Sequence, residues 1–336
     1  MGTGHALDIC VYGAGSIGGS IAARLGLAGA NVCAITRGPH GKAMAANGLT
    51  LISGPARNTV RIPCFEAPFA VPPQDVVVVA VKGPALPSIA SALPALLKPG
   101  GLLVFAMNGI PWWFDREMAV RLPDWLRAEL DPEGILERTV APQSIVGCVV
   151  QSSNEVIAPG VVLNSTPGRN NLIMGKPDGA ADALLDRFVD QLCAAGYNAR
   201  LSSNIRDDIW TKTLLASSAG PVAALTGASL DRLVEDPQTR AVLTTIMHDG
   251  TAIGRALGLN VNEDIEARLD FYRGKPVRPS MLQDFETGRP AEVESGIVAF
   301  AALANALGMD LPVTQTVAAL LRMKKKQAAN RPPADG

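Results

Sequence analysis

Aromatic side chains are scarce, at 4% of 336 residues. A core must therefore be built mainly from Ala, Val, Leu and Ile, which dominate a hydrophobic content of 48%. An excess of either charge is also missing, since the formal net charge is −1. That gives no electrostatic footing for nucleic acid or for an anionic membrane surface. No apolar run reaches membrane-spanning length with clean flanks. Met1–Ala6 carries neither a basic region nor an apolar signal segment, so a cytoplasmic location is expected. Histidine occurs only as His5, His40 and His248, far apart in the chain. The five cysteines (Cys10, Cys33, Cys64, Cys148, Cys193) form no C-x-x-C pair and no metal-ligand spacing. No metal site is expected, and the cysteines read as small core residues in a reducing compartment. No internal repeat is found, and the length is enough for two domains with sizeable cores.

Glycine, by contrast, is placed with purpose. The apolar stretch Asp8-Ile9-Cys10-Val11-Tyr12 runs straight into Gly13-Ala14-Gly15-Ser16-Ile17-Gly18, followed by a helical stretch at Ile21–Ala28. A strand, then G-x-G-x-x-G, then a helix is the dinucleotide fingerprint in its proper context. Gly13 makes the tight turn, Gly15 lets backbone approach a pyrophosphate, and Gly18 lets helix and strand pack closely. The pyrophosphate is expected on the N–H groups of the helix N-terminus. The next strand, Val32–Thr36, ends in Arg37-Gly38 rather than in Asp or Glu. An acid there would accept from a ribose 2′-OH, whereas a guanidinium can grip a 2′-phosphate with two charge-assisted hydrogen bonds. The expected cofactor is therefore NADP rather than NAD.

The first half of the chain alternates strand and helix. Asp75–Val81 is a continuous β-branched run, as expected of a strand buried on both faces. Pro84–Leu97 reads as a helix and Leu102–Met107 as the following strand, giving the rhythm of a doubly wound parallel sheet. Lys82-Gly83 and Asn108-Gly109 then fall just past carboxyl ends of strands, where ligand contacts gather. Pro111–Gln143, with Trp112, Trp113 and Trp125, breaks the rhythm and reads as an excursion from the sheet. Ser144–Gln151, Val156–Val162 and Asn171–Met174 read as shorter strands, antiparallel, closing its far edge. Ala180–Ala195 reads as a helix ended by Gly196. From about Ile205, Asp207–Ser218, Pro237–Leu257, Glu263–Tyr272, Ala291–Leu307 and Pro312–Lys326 have helical periodicity, so an all-helical second domain is expected. The domain limits expected are 1–203 for the α/β cofactor domain and 204–328 for the helical one, with 329–336 a disordered tail.

A nicotinamide cofactor implies a carbonyl or imine carbon that takes hydride and a group that protonates the reduced atom. No histidine is well placed, and Lys212 is the best lysine. Lys212, Ala216 and Gly220 share one helix face, and partial burial would lower an ammonium pKa toward a useful range. On pattern alone a lysine there reads more readily as snorkelling from an amphipathic helix. Ser280 with Gln283 has the capping-box form after the cationic loop Lys275–Pro279. It reads either as a cap only or as a hydroxyl suited to a substrate carboxylate. Glu292 and Glu294 are expected to open the next helix, where acids suit the dipole.

With these residues in place, the chain resembles the ketopantoate reductase family (2-dehydropantoate 2-reductases), from about Asp8 to Lys326. The motifs are Gly13–Gly18, Val81-Lys82, Met107-Asn108-Gly109, Asp208-Ile209-Trp210-Thr211-Lys212, and Ser280–Asp284 with Glu292 beyond. The segment after Asn108-Gly109 looks like a longer branch of the family that carries an insertion there. The resemblance implies an α/β fold: a Rossmann-type doubly wound sheet followed by an all-helical C-terminal domain, of 6-phosphogluconate dehydrogenase-like type. It also implies roles. Lys212 matches the general acid, which also touches substrate. Glu292 matches a contact to the nicotinamide ribose that helps fix the lysine. Gly13, Ala14, Gly15, Ser16, Ile17, Gly18, Lys82 and Asn108 match cofactor contacts, with Asn108 near the nicotinamide and substrate. Arg37 matches the 2′-phosphate ligand, and Ser280 a substrate contact. The activity implied is NADPH-dependent reduction of a 2-oxo acid, by default 2-dehydropantoate to pantoate in pantothenate biosynthesis. A homodimer through the helical domain is expected by analogy.

One departure stands out. Family members usually carry asparagines four and eight residues after the lysine, where this chain has Ala216 and Gly220, with Ser217 and Ser218 nearby. A less polar wall should suit a bulkier or less polar 2-oxo acid. Two rival readings follow. One is an imine or opine-type reductase, which would need acids such as Glu286 or Glu294 facing a basic substrate. The other is a non-catalytic NADP-binding module.

Overall fold

The computed structural model describes residues 6–329. The expected tail at 329–336 lies, beyond Ala329, outside them. The chain divides into two compact units: one holds the described residues through Met107 and Ile135–Ile205, the other Asn108–Gly134 and the described residues from Arg206 onward. The chain passes from one unit to the other three times.

Among the described residues the first unit contains twelve strands: β1 (Asp8–Tyr12), β2 (Asn31–Ile35), β3 (Leu49–Ser53), β4 (Ala56–Val60), β5 (Cys64–Phe65), β6 (Gln74–Val79), β7 (Leu97–Ala106), β8 (Ile145–Gln151), β9 (Asn154–Ala158), β10 (Val161–Asn164), β11 (Asn171–Gly175) and β12 (Asn198–Leu201). Eight form one sheet in the order β12-β11-β8-β7-β6-β1-β2-β5. All neighbours in it run parallel except β8 and β11, which are antiparallel. The central strands are runs of Val, Ile and Leu because both faces are covered. Ile9 and Val11, Val76 and Val78, and Leu102 and Val104 join one core cluster with Ile21, Leu25, Phe188 and Leu192. The strand order reverses at β1, whose neighbours are β2 and β6. Such a reversal opens a crevice beyond the carboxyl end of the strand, and here Gly13 follows Tyr12. This is the expected α/β class, with a helical second unit.

A second sheet, β4-β3-β10-β9, forms over the helix Ser16–Leu27. Gly19 and Gly26 leave room for it: a Cβ at either would lie 2.9 Å from Val162 or Ile62. The segment Val156–Val162, expected as one strand at the far edge of the main sheet, is instead β9 and β10 of this second sheet. Pro159-Gly160 breaks it, with Gly160 at φ +76°, and β10 pairs with β3. The expected antiparallel edge is corrected at β8, which runs parallel to β7, whereas β11 is antiparallel to β8 as expected and β12 follows the direction of β11.

Pro84–Leu97 is not an α-helix. It forms three short 3₁₀ turns, Gly83–Ala85, Ala90–Ala92 and Pro94–Leu96. Pro87 and Pro94 remove N–H groups that a continuous helix from Pro84 would use. Cys10, Cys33 and Cys148 are buried as expected, but Cys64 is half-buried and Cys193 exposed. Cys193 falls off the face on which Leu185, Phe188, Val189 and Leu192 bury the helix Ala183–Ala194.

Among the described residues the longest helix is Ile205–Thr226, which from Arg206 onward belongs to the second unit. Trp210 anchors it, stacked between Phe114 at 5.8 Å and Phe300 at 4.8 Å, with Nε1 donating to the Gly250 carbonyl at 2.9 Å. Gly250 and Gly254 make space for these rings, because a Cβ at either would meet ring atoms within 2.5 Å. Arg206 donates to the carbonyls of Phe114 and Arg116 at 2.8 and 2.7 Å. The first part of the 111–143 excursion is thus built into the helical unit. Its aromatics, Trp113 and Phe114, are fully buried, while Trp125 lies half-exposed under Arg322.

Two helix starts differ from expectation. Pro279 occupies the cap of helix Ser280–Glu286, so Ser280 is its first residue and makes no side-chain cap. Gln283 instead donates to the Arg278 carbonyl. The expected helix Ala291–Leu307 begins late and bent. Glu292 precedes a wide π-type turn, Glu294–Val298, kinked at Gly296 (φ −111°, ψ −117°), and regular helix runs only over Ala299–Ala306.

Candidate active site

The first unit carries a groove of about 270 Å³ lined by Tyr12, Gly13, Ala14, Gly15, Ile35, Thr36, Arg37, His40, Val81 and Val156. Its floor is the glycine-rich turn. Gly13 sits at φ +93°, and a Cβ there would lie 2.7 Å from the Val81 Cγ1. A Cβ on Gly18 would stand 2.2 Å from the Gly13 carbonyl oxygen, so turn and helix can close only around glycine. At Gly15 a Cβ would meet nothing within 4 Å, so the bare backbone faces open space. Ser16 and Ile17 begin the helix Ser16–Leu27, which has no side-chain cap and no acid in its first turn. Its N-terminal N–H groups and dipole therefore suit an anion. These features fit a dinucleotide pyrophosphate.

Arg37 follows β2 and is exposed on the rim of the same groove, heading the helix Gly38–Asn47 in extended conformation. His40, one turn on, accepts at Nδ1 from the Gly160 N–H at 3.0 Å. Burial holds its pKa below the usual histidine value. Burial likewise raises the Tyr12 phenol, against the opposing charge of Arg37. Lys82 follows the groove residue Val81 and heads the turn Gly83–Ala85.

In the second unit Lys212 is half-buried, and its Nζ donates to Asn108 Oδ1 at 2.6 Å. Two turns of its helix face offer no amide. Ala216 is exposed, and Gly220 is buried beneath Met281, whose atoms stand 3.5–3.8 Å from where a Cβ would be. Of the two serines nearby, Ser218 donates to the Leu215 carbonyl within its own helix. The Ser217 hydroxyl is buried without a partner and lies 3.4 Å from the position of a Cβ on Gly296. Pro221 cannot supply the helical N–H to the Ser217 carbonyl. Glu292 is half-buried, two residues before the wide turn. Ser280 is exposed, and it is its neighbour Met281 that reaches the Lys212 face. Glu286 is paired with Arg278 and Glu294 with Lys325, so neither acid named for a basic substrate stands unneutralised.

The structure thus gathers Gly13, Ala14, Gly15 and Arg37 on one groove, with Ser16, Ile17 and Gly18 in the helix that follows, and joins Lys212 to Asn108 by one hydrogen bond. Sequence reasoning missed Tyr12, Thr36, His40 and Val156 as groove walls. The only available signal was position, since Thr36 and His40 flank Arg37 and Tyr12 precedes Gly13. Among the described residues, no group of three or more His, Cys, Asp or Glu could hold a metal ion. No helix there is long and apolar enough to cross a membrane.

Two family models match the chain: "Ketopantoate reductase PanE/ApbA" over residues 9–175 and "Ketopantoate reductase PanE/ApbA C terminal" over residues 204–325. A 2-dehydropantoate 2-reductase of Mesorhizobium japonicum is 32% identical over 321 residues, covering 94% of this chain and 97% of that protein. A crystal structure designated a ketopantoate reductase, from Ralstonia solanacearum MolK2, aligns with a TM-score of 0.86 at 33% identity over 96% of this chain and 99% of its own. The ternary structure of D-mandelate dehydrogenase with NADH and anilino(oxo)acetate aligns with a TM-score of 0.80 over 96% of this chain and 99% of its own. At 18% identity that likeness is one of fold alone.

Proposed function

The chain belongs to the ketopantoate reductase family, a family of oxidoreductases, and from that premise we propose that it is an NADPH-dependent reductase of a 2-oxo acid, with 2-dehydropantoate as the reference substrate. The observation that carries this reading is the Lys212 ammonium held 2.6 Å from Asn108 Oδ1, in a chain whose other unit presents a glycine-lined groove. The backbone at Gly13, Ala14, Gly15, Ser16, Ile17 and Gly18 holds the pyrophosphate, and Arg37 grips the 2′-phosphate. Lys82 and Glu292 contact the rest of the nucleotide. When bound, NADPH supplies the hydride that the carbonyl carbon accepts. Lys212 gives its proton to the carbonyl oxygen, and Asn108 fixes the direction of that ammonium. Ser280 meets the substrate carboxylate.

The test is an NADPH-consumption screen over 2-oxo acids, 2-dehydropantoate included, beside a thermal-shift comparison of NADPH with NADH. Turnover of at least one 2-oxo acid and a larger shift with NADPH are expected, because the tighter ligand stabilises more. No oxidation of NADPH across the panel, despite cofactor binding, would leave a nucleotide-binding module instead.

A further inference from the structure

We propose that the wide turn Glu294–Val298 is the seat that holds Asn108 against Lys212, with Gly109 and Ser295 as positioning residues. The inference rests on Lys212 as the proton donor. Three observations converge. The Ile110 N–H donates to the Ser295 carbonyl at 2.7 Å. Gly109, at φ +74°, lies flat on the same residue: a Cβ there would stand 2.4 Å from Ser295 Oγ and 2.7 Å from both its Cβ and its carbonyl oxygen. Asn108 is therefore delivered by a turn moulded to one serine. The other end of the bond rests on the helix that continues the turn, since Phe300 of Ala299–Ala306, five residues beyond Ser295, stacks at 4.8 Å on Trp210, two residues before Lys212.

The seat is itself rigid. Ser295, Gly296, Ile297 and Val298 are buried, and Glu294 is paired with Lys325 of the helix Pro312–Ala329. A continuous α-helix would place the carbonyl of residue 295 in its own ladder, bonded to the N–H of residue 299. The π-type turn with its kink at Gly296 departs from that ladder, and the Ser295 carbonyl accepts from Ile110. Wide turns of this kind inside helices recur where a functional group must be aimed. Displacing a positioned group by an ångström can cost about a hundredfold in rate, so a seat of this kind would act on turnover rather than on binding.

The experiment uses the full chain, with 2-dehydropantoate (or the best 2-oxo acid of the screen) and NADPH. Gly109→Ala is compared with Asn108→Ala, with the double variant, and with Ser295→Val, which crowds the same contact from the other side. Gly109→Ala and Ser295→Val are each expected to lower kcat about tenfold or more, with KM and the Kd for NADPH within about twofold of the parent. The double variant should be no slower than Asn108→Ala by more than about twofold, because one loss contains the other. If Gly109→Ala does not fold, Ser295→Val decides alone. Folded positioning variants with parental kcat, or losses that multiply in the double variant, would overturn the seat while leaving Lys212 as donor. Parental kcat in both Lys212→Ala and Asn108→Ala would remove the donor and the seat together.

Discussion

Lys212 and Asn108 are 104 residues apart in the chain and 2.6 Å apart in the fold. A neutral amide oxygen, rather than a carboxylate, receives the ammonium in this bond. The amide oxygen is an acceptor only in this bond, so it fixes the direction of one ammonium N–H. Replacing Lys212 with Ala should lower kcat by about 10²–10⁴-fold, the range removed with a positioned acid. NADPH affinity should change little, because the glycine-lined groove proposed for the nucleotide lies on other elements. Steady-state kinetics beside fluorescence titration of NADPH checks both, and parental turnover would remove Lys212 from the mechanism.

In the proposed NADPH site, Arg37 takes the place that a ribose-binding acid holds in an NAD site. Arg37→Ala should weaken NADPH by about 10–100-fold, the loss of charge-assisted hydrogen bonds worth about 1.5–3 kcal/mol, and leave NADH nearly unchanged. Equal weakening of both coenzymes would take the 2′-phosphate away from this residue.

The face of Lys212 continues through Ala216 and Gly220, without an amide at either position. Ala216→Asn should raise kcat/KM for a hydroxylated 2-oxo acid, relative to an unhydroxylated one of like size, by about 5–10-fold, as one net hydrogen bond of about 1 kcal/mol or slightly more would. Ala216 is exposed, so the new side chain displaces no core. An unchanged ratio would place substrate recognition on another face.

His40 gives a pH signature with a definite sign. Burial lowers its folded-state pKa, while a hydrogen-bonding interaction with the Ala14 backbone works weakly in the other direction. The Gly160 N–H bond to Nδ1 needs the neutral ring. The unfolded chain, with an ordinary histidine near 6.5, therefore binds more protons as pH falls. The stability contributed by neutral His40 is present above about pH 6.5 and is lost between that value and the lower folded-state pKa. The Tm should fall across that window in the parent and fall less in His40→Gln, as read by thermal melts at fixed ionic strength. Superimposable melting profiles would sink this assignment.

The parts legible in the sequence share one trait: the local pattern already contains its reason. Gly13, Gly15 and Gly18 announce a backbone with no room for side chains, and Val76–Val79 announces a strand covered on both faces. What the sequence hid depended on distant partners. Val156–Val162 has the composition of a main-sheet strand, yet Pro159-Gly160 and the free edge of β3 drew it into another sheet. Pro84–Leu97 is rich in helix formers, and Pro87 and Pro94 outweighed them. Ser280 and Gln283 match a capping box, but Pro279 took the cap. The Lys212–Asn108 bond was the least legible, since each residue alone reads as an ordinary polar side chain near an element's end.

The route of the chain between its two units has a practical outcome for anyone dissecting this protein. A single cut near residue 203 would leave Trp113 and Phe114 on a fragment deprived of Trp210, exposing rings that belong in a core. The complementary piece would keep its lysine but forfeit the amide that orients it. Neither half should behave as a well-folded species when produced alone. Mixing both halves should restore more soluble material than either yields separately. A fragment of helices alone that also carries Asn108–Gly134, spliced ahead of Arg206, is the smaller polypeptide with a realistic prospect of independence.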